Sequence, residues 1–188
     1  MDRAVVLGST QPESHVDREA AAAAGTTVLR RRSGGGAVLV GPGQVLWTDV
    51  VIPVGDPLWT PDVGRAFWWI GELWAAALAA AGLAGGRVWR GGLVRSRWSD
   101  RVCFAGLGAG EVTAGGAKVV GLAQRRTRAA AKFQCAVPIE WDATALLGLM
   151  DLDDRDRCQA ASDLAGVAMG VGAEMASRLM PAFLDRLP

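Results

Sequence analysis

The sequence predicts a one-domain α+β protein, and three observations support this class. The chain has 188 residues, which is enough for one domain with a real core and short for two. Its content of 51% hydrophobic and 21% charged residues is typical of a globular chain rather than a disordered one. Short β-type runs fill the middle of the sequence, and stretches with helical spacing lie before, between and after them.

The N-terminal half is predicted to alternate strands with helices. A short helix is expected over Val16 to Ala24, stopped by Gly25. His15, just before it, is expected to be a cap or surface residue, because no Ser, Cys or carboxylate motif accompanies it. The predicted strands are 4–7, 26–30, 37–40 and 45–53. Apolar residues at helical spacing predict a core helix that ends at Gly82: Phe67, Ile70, Trp74, Leu78 and Ala81.

From Arg87 to Val137 the chain predicts β structure punctuated by glycines. The expected runs are 88–90, 93–98, 101–105, 111–113, 118–125 and 132–137. Residues 113–118 predict a tight hairpin turn. Strict alternation after it would put Lys118 and Leu122 on one face and Gly121 on the other. There Lys118 would either point into a pocket or act as an edge-strand charge.

A helical C-terminal layer is predicted from about residue 142. Asp142 to Met150 predicts a helix, and Asp151 to Arg157 predicts a charged linker. A last long helix is expected from Arg157 to Leu187, with Pro181 as a kink or an end. Its expected buried face consists of Leu164, Ala168, Val171, Met175, Leu179 and Phe183.

Charge and cysteine content argue against several classes of partner and site. The formal net charge of +1 gives no global attraction to nucleic acid or membrane. The cysteines Cys103, Cys135 and Cys158 form no CxxC pair, and the chain has one histidine, so a zinc site of the usual Cys/His kind is not expected. The odd cysteine count without a signal-peptide stretch indicates a cytoplasmic protein.

The stretch richest in chemistry is residues 30–38, with the sequence RRRSGGGAV. Consecutive glycines let backbone amides converge on a ligand, and arginine supplies fixed donor forks for phosphate or carboxylate. One interpretation is therefore an anion site. The other is a hairpin connection with a solvated basic lead-in.

Three patterns, in this order, resemble motifs of lipoate–protein ligases and their relatives. VLGSTQ at 6–11 resembles the V-x-L-G-x-x-Q strand end, RRSGGGAV at 31–38 the RR-[ST]-GGGAV motif, and GGAKVVGLAQRR at 115–126 the G-x-K-[IV]-x-G-x-A-Q-R stretch. The similarity covers most of residues 4 to 140. It implies the catalytic fold shared by biotin and lipoate ligases, a mixed β-sheet flanked by helices, as a single catalytic domain over residues 1–188.

The resemblance also implies an activity. Ligases of this family use ATP and Mg²⁺ to convert lipoate or octanoate to an acyl-adenylate. The acyl group then passes to a lysine of a lipoyl carrier domain, in a 2-oxoacid dehydrogenase E2 or a glycine-cleavage carrier protein. Lys118 matches the family's catalytic lysine, and no metal ligand is assigned. The nucleotide and acyl-carboxyl site would be lined by Arg31, Ser33, Gly34, Gly35, Gly36, Ala37 and Gly121.

Cys103 supports an alternative. Its Cys-Phe context is similar to that of relatives that act as ATP-independent octanoyltransferases, with acyl carrier protein as the donor and this cysteine as the thioester nucleophile. An ammonium group nearby would favour the reactive thiolate. A buried core cysteine is the other interpretation, and Cys135 and Cys158 are both expected to be core residues.

Two departures from the family support a third hypothesis, a non-catalytic relative that binds an acyl group or nucleotide. After GGGAV the chain reads LVGPGQ at 39–44, without the histidine of most relatives. The chain also starts almost on the first motif, and no separate accessory domain is evident after residue 140. In the family that domain is sometimes a separate chain. The first hypothesis remains the ATP-dependent ligase.

Overall fold

The fold contains two β-sheets with helices packed against them. The computed structural model describes residues 2–188. The smaller sheet has the order β2-β1-β3 and the larger β4-β8-β7-β6-β5. The strands are β1 (Ala4–Leu7), β2 (Thr27–Arg30), β3 (Val38–Val40), β4 (Val45–Pro53), β5 (Arg87–Val88), β6 (Val112–Ala114), β7 (Ala117–Arg126) and β8 (Ala130–Pro138). The helices are α1 (Arg18–Ala23), α2 (Trp68–Ala81), α3 (Ala143–Leu147), α4 (Asp154–Leu164) and α5 (Ala173–Leu184).

Parallel and antiparallel pairing coexist, so the predicted α+β fold with mixed pairing and flanking helices is confirmed. β1 pairs parallel with β2 and antiparallel with β3, whereas the larger sheet is antiparallel throughout. The tight turn at Gly115 and Gly116 is also confirmed, with both φ angles positive at +59° and +89°. No helix within residues 2–188 is long and apolar enough to cross a membrane.

The main core lies between the larger sheet and helices α2 and α5. The predicted apolar face of α2 is buried, and Trp74 stacks on Phe183 of α5 with ring centroids 4.1 Å apart. Each such fully buried side chain contributes roughly 1.5–3 kcal/mol. Gly82 ends α2 with a φ of +113°, a left-handed conformation that favours glycine.

A second core packs the smaller sheet against α3 and α4, with Val5, Leu7, Leu147 and Leu164 at its centre. Trp98, Val102 and Ala105 belong to this core, whereas Phe104 packs with Ala136 of β8 and with Ala168. The 98–105 segment therefore lies between the two sheets. Cys103, in a single 3₁₀ turn over Cys103–Ala105, stands between residues that face different clusters.

The hairpin interpretation of the glycine stretch is wrong. β2 and β3 lie on opposite sides of β1, so residues 31–37 must cross the end of β1 to connect them. Backbone hydrogen bonds from Arg31 N to Leu7 O at 2.9 Å and from Ser9 N to Ser33 O at 2.8 Å hold the crossing in place. A Cβ atom at Gly8 would collide with the carbonyl of Gly35, so the two backbones meet where neither has a side chain.

Two predicted strands, 93–98 and 101–105, are absent from the described structure. Only single bridges occur there, Val94 to Leu107 and Ala37 to Val102. Local hydrogen bonds compete with pairing, since the Ser99 hydroxyl accepts from Ser96 N at 2.8 Å and donates to Ala105 O at 3.2 Å.

The predicted long C-terminal helix is also wrong, because it divides into α4 and α5. Residues 165–172 between them run beside β7, where Lys118 N donates to Val167 O at 2.8 Å and Met169 N to Lys118 O at 3.0 Å. The predicted linker contains the start of α4, since the Asp153 carboxylate caps it by accepting from Asp156 N at 2.7 Å.

Replacement of Gly36 by alanine is expected to destabilise the crossing strongly. Its Cβ would lie 2.7 Å from the backbone C and N of Val102 and 2.8 Å from Cys103 N, and backbone atoms cannot move aside cheaply. We expect Gly36→Ala to lower the free energy of unfolding by about 2 kcal/mol or more in a urea titration. The control is Gly34→Ala, where a Cβ meets nothing within 4 Å; equal losses in both variants would contradict the packing argument.

Candidate active site

A cavity of about 560 Å³ opens beside the crossing loop. Its walls come from four segments: the turn after β1, the glycine loop, residues 93–111, and β7. Both charges and apolar groups face it. The lining residues are Thr10, Gln11, Pro12, His15, Gly34, Gly35, Gly36, Leu93, Arg95, Ser99, Asp100, Cys103, Gly106, Gly108, Glu111, Lys118, Leu122, Ala123 and Gln124.

The glycine loop presents backbone to this cavity. The amides of Gly34, Gly35 and Gly36 donate to no residue of 2–188. Gly35 has a φ of +99°, and a Cβ there would lie 2.8 Å from Arg31 Nη2. Three unpaired amides at a cavity wall are the arrangement that binds an anion or a developing oxyanion.

Arg31 lies behind this wall, not on it. The guanidinium is buried, with 7% exposure, and donates to the carbonyls of Val6 at 3.0 Å, Gly34 at 2.7 Å and Gly36 at 2.8 Å. Burial lowers the pKa of Arg31, and the neighbouring Cys103 sulfur opposes that shift. The structure therefore assigns Arg31 to holding the loop, whereas the resemblance implied that it lines the ligand site.

Three other predicted residues also support the cavity from outside. The Ser33 hydroxyl donates to Gln134 Oε1 at 2.6 Å. Ala37 pairs with the Cys103 segment through Cys103 N to Ala37 O at 3.0 Å. A Cβ at Gly121 would lie 3.2 Å from the Phe104 ring and 3.4 Å from Lys118 Cε, so this position leaves room for both. None of the three lines the cavity, in contrast to the expectation from the resemblance.

Lys118 reaches the cavity wall from β7, but its ammonium is already surrounded by acceptors. Nζ lies 2.7 Å from Glu111 Oε2 and donates to the carbonyls of Cys103 at 3.2 Å and Gly106 at 3.0 Å. It also lies 5.0 Å from the centroid of the Phe104 ring. The edge-strand interpretation is therefore wrong, because the Lys118 side chain is 4% exposed and Glu111 6%.

The predicted alternation fails at Lys118 because β7 contains a bulge. Val112 faces Val120 and Thr113 faces Lys118, so two steps on β7 oppose one step on β6. The extra residue turns Lys118 toward the same side as Gly121.

Glu111 is a site residue that sequence reasoning missed. Its carboxylate accepts from Gly108 N at 2.7 Å and Leu122 N at 3.0 Å as well as from Lys118. The available signal was a carboxylate between a glycine and a buried valine at the start of a strand, a place where an unpaired charge is costly.

Cys103 lies on the cavity wall and is half-buried, so the interpretation of it as a buried core cysteine is wrong. Its sulfur is 4.0 Å from Arg31 Nη2. The other cysteines differ from it and from each other. Cys135 is a core residue, as expected, and burial raises its pKa to about 12. Cys158 is exposed, so the core expectation for it is wrong.

His15 is partly buried and lines the cavity, so it is more than the surface or cap residue expected. It follows the turn that Gln11 organises: Gly8 N donates to Gln11 Oε1 at 3.2 Å, and Gln11 Nε2 donates to Arg101 O at 3.0 Å. Burial lowers the pKa of His15, and the nearby Arg101 charge adds to the shift. No group of three or more His, Cys, Asp or Glu side chains within residues 2–188 is placed to hold a metal ion.

Comparison with known protein families shows to which family the chain belongs. The profile of the lipoyl protein ligase A/B catalytic domain matches residues 1–172. The chain belongs to this family. The resemblance inferred from three motifs is thereby confirmed, and the chain is an enzyme of the lipoate ligase and octanoyltransferase group.

Solved structures show the same fold. A bi-partite lipoate protein ligase from Thermoplasma acidophilum, studied with its E2 lipoyl domain, has a TM-score of 0.75 at 21% identity, covering 98% of this chain and 67% of the other. A putative lipoate protein ligase from T. acidophilum with bound lipoic acid scores 0.61 at 19% identity, with coverages of 98% and 79%. A lipoate-protein ligase A bound with ATP scores 0.60 at 19% identity, with coverages of 98% and 78%. No curated protein sequence matches the chain significantly.

The buried ion pair of this family member makes a stability prediction. Removing one partner leaves an uncompensated buried charge, so we expect Glu111→Gln to cost about 3 kcal/mol of unfolding free energy. The double variant Lys118→Met/Glu111→Gln should cost less than the sum of the single changes. Arg178→Gln, which breaks an exposed pair with Glu174, is the control and should change stability by at most about 0.5 kcal/mol. Equal effects at the buried and exposed pairs would contradict the burial argument.

His15 makes a pH prediction. Its folded-state pKa lies below the usual 6.5, so as the pH falls through about 6.5 the unfolded chain takes up a proton that the folded chain does not. The free energy of unfolding should therefore decrease from pH 7.5 to 5.5, and His15→Gln should show a shallower decrease. The charged groups that act on position 15, Asp100, Arg101 and Asp151, are the same in both proteins. Denaturation curves at four pH values measure how the free energy of unfolding changes with pH. Identical slopes in the two proteins would show that His15 does not cause the decrease.

Proposed function

We propose that the protein transfers an octanoyl or lipoyl group to a lysine of a lipoyl carrier domain through a thioester on Cys103. The observation that carries the proposal is the position of Cys103 on the cavity wall, in the same cavity as the glycine loop with its three unpaired amides. A nucleophile, oxyanion donors and a cavity for the substrate are the parts that acyl transfer requires.

In the first half-reaction, the Cys103 thiolate attacks the carbonyl carbon of an acyl thioester, such as octanoyl-acyl carrier protein. The new C–S bond forms as the donor's C–S bond breaks, and the donor leaves as a thiolate that takes a proton from solvent. The amides of Gly34, Gly35 and Gly36 are suited to hold the oxyanion that develops between these events.

In the second half-reaction, the neutral amine of the carrier lysine attacks the Cys103 thioester. The amide C–N bond forms, the C–S bond breaks, and the amine's proton passes to solvent while Cys103 returns to the thiolate. Lys118 acts on the geometry of the site: its bonds to the carbonyls of Cys103 and Gly106 hold the nucleophile's turn, while Glu111 balances its charge.

The carrier-domain partner is supported by the T. acidophilum ligase, which was studied with its E2 lipoyl domain. Lipoate as the acyl group is supported by the relative with bound lipoic acid. A cytoplasmic location, a 2-oxoacid dehydrogenase E2 or glycine-cleavage protein as acceptor, and a catalytic unit spanning residues 1–188 complete the proposal.

The second candidate is the ATP-dependent ligase, with Lys118 at the adenylation site. The unpaired amides of the glycine loop favour it, because they suit phosphate oxygens as well as an oxyanion. A related lipoate-protein ligase A is bound with ATP. Mg²⁺ would use Asp100, a cavity carboxylate that makes no ion pair within residues 2–188, since Mg²⁺ commonly binds one carboxylate together with phosphates and water. An accessory domain on a separate chain would then assist the reaction.

The deciding experiment is the intact mass of a lipoyl carrier domain after incubation with the protein. One reaction contains octanoate, ATP and Mg²⁺, and the other contains octanoyl-acyl carrier protein without ATP. We expect acylation in the second reaction, an octanoyl adduct on the enzyme itself, and loss of both in Cys103→Ala. Cys158→Ala, which removes an exposed thiol, is the matched control and should retain both.

Other outcomes select other functions. Acylation only with ATP, unchanged in Cys103→Ala and lost in Lys118→Ala, would establish the ligase. No carrier acylation from either donor, with a folded enzyme, would reject both reactions and leave the non-catalytic acyl- or nucleotide-binding protein.

A further inference from the structure

Arg31 is a buried cation without a carboxylate partner. Its guanidinium makes no ion pair within residues 2–188, and its hydrogen bonds go to three neutral carbonyls. A buried charge whose only partners are neutral groups carries a large desolvation cost. The group beside it that can carry a negative charge is Cys103, whose Sγ lies 4.0 Å from Nη2.

Lys118 is in the opposite situation. Its charge is balanced by Glu111 at 2.7 Å, and two carbonyls accept from the same ammonium. The Glu111 carboxylate is fixed in turn by two backbone amides. The two charges of this ion pair cancel, so the pair offers neither a free base to take the Cys103 proton nor a net charge to stabilise the thiolate.

We propose that the Arg31 guanidinium, rather than the Lys118 ammonium, holds Cys103 as a thiolate before any substrate binds. The role of this thiolate in catalysis rests on the proposed acyl transfer, whereas its existence does not depend on that proposal. Arg31 acts through Cys103, so it is a positioning residue. Deprotonation releases the thiol proton to solvent and leaves a paired cation and anion where the structure otherwise has a buried, unpaired cation.

Gly35 is consistent with this role. A side chain at Gly35 would place its Cβ 2.8 Å from Arg31 Nη2 and 3.5 Å from Cys103 Sγ. The contact between guanidinium and sulfur therefore needs glycine at this position, for a reason separate from its positive φ.

The test is the rate at which iodoacetamide alkylates Cys103 between pH 5.5 and 9, followed by intact mass and peptide mapping. Each alkylation forms a C–S bond at the thiolate and releases iodide. All proteins carry Cys158→Ser to remove the exposed thiol, and Cys135 is silent because it is fully buried with a pKa raised to about 12. An unperturbed cysteine loses about tenfold in rate for each pH unit below about 8.5.

We expect the parent protein to react at pH 6.5 within about threefold of its rate at pH 9. The double variant Lys118→Met/Glu111→Gln removes the ion pair and leaves no unpaired buried charge behind. It should show the same weak dependence of the alkylation rate on pH, called the flat profile below. Arg31→Met should lose at least about tenfold at pH 6.5 and regain most of the rate at pH 9, and Arg31→Lys should restore part of the loss. A purely structural defect would lower the rate at both pH values instead.

Opposite results overturn the proposal. A parent rate that climbs about tenfold per unit up to pH 8.5 means that there is no stabilised thiolate. A flat profile lost in the Lys118/Glu111 double variant and kept in Arg31→Met assigns the role to Lys118. If Arg31→Met does not fold, a parent rate that climbs with pH or a flat profile lost in the double variant still overturns the proposal, and a flat profile kept in the double variant supports it. Because alkylation needs no acyl donor, its result is independent of whether carrier acylation succeeds.

Discussion

The site depends on one crossing of the backbone. Because β2 and β3 lie on opposite sides of β1, residues 31–37 must pass over the end of β1 within seven residues. The passage is close enough that Gly8 and Gly35 meet without side chains. Arg31 makes it stable by turning inward and satisfying carbonyls on both sides, Val6 of β1 and Gly34 and Gly36 of the loop. Two of the loop's carbonyls are thereby used by Arg31, whereas the amides of Gly34, Gly35 and Gly36, at the cavity wall, have no acceptor within residues 2–188.

The two buried cations of the site have different tasks because their partners differ. The charge of Lys118 is balanced by Glu111, and its ammonium donates to the turn that carries Cys103. Arg31 donates to the glycine loop, and its charge has no carboxylate partner beside the Cys103 sulfur. In a low-dielectric interior, a charge without a counter-charge acts strongly on the nearest ionisable group. The motif arginine is thereby linked to the chemistry without touching the substrate.

Local patterns predicted much of the fold and part of the site. Val45–Pro53 is a strand with the predicted limits, and the apolar face of α2 is part of the core. Both were predictable because the spacing of apolar residues and the apolar content of the segment determine such elements locally. The motifs identified the residues that meet at the cavity, Gly34 to Gly36, Cys103 and Lys118. The inward turn of Arg31 and the pairing of Glu111 with Lys118 were not predictable, since the first depends on the path of the loop across the end of β1 and the second on the irregular register between β6 and β7. The β7 bulge was missed because alternation assumes an unbroken register.

The C-terminal layer belongs to the site, although its sequence carries none of the motifs. Residues 165–172 leave the helical conformation predicted for them, and Gly170 packs against the backbone of Ile139 and Glu140, where a side chain would collide. That path brings Val167 and Met169 to the backbone of Lys118, which they bracket with two hydrogen bonds. Lys118 lies before the part of β7 that pairs with β8, which begins at Gly121. The segment between α4 and α5 takes the place of β8 beside Lys118, and so the backbone position of Lys118 depends on residues about fifty positions away, beyond the last strand.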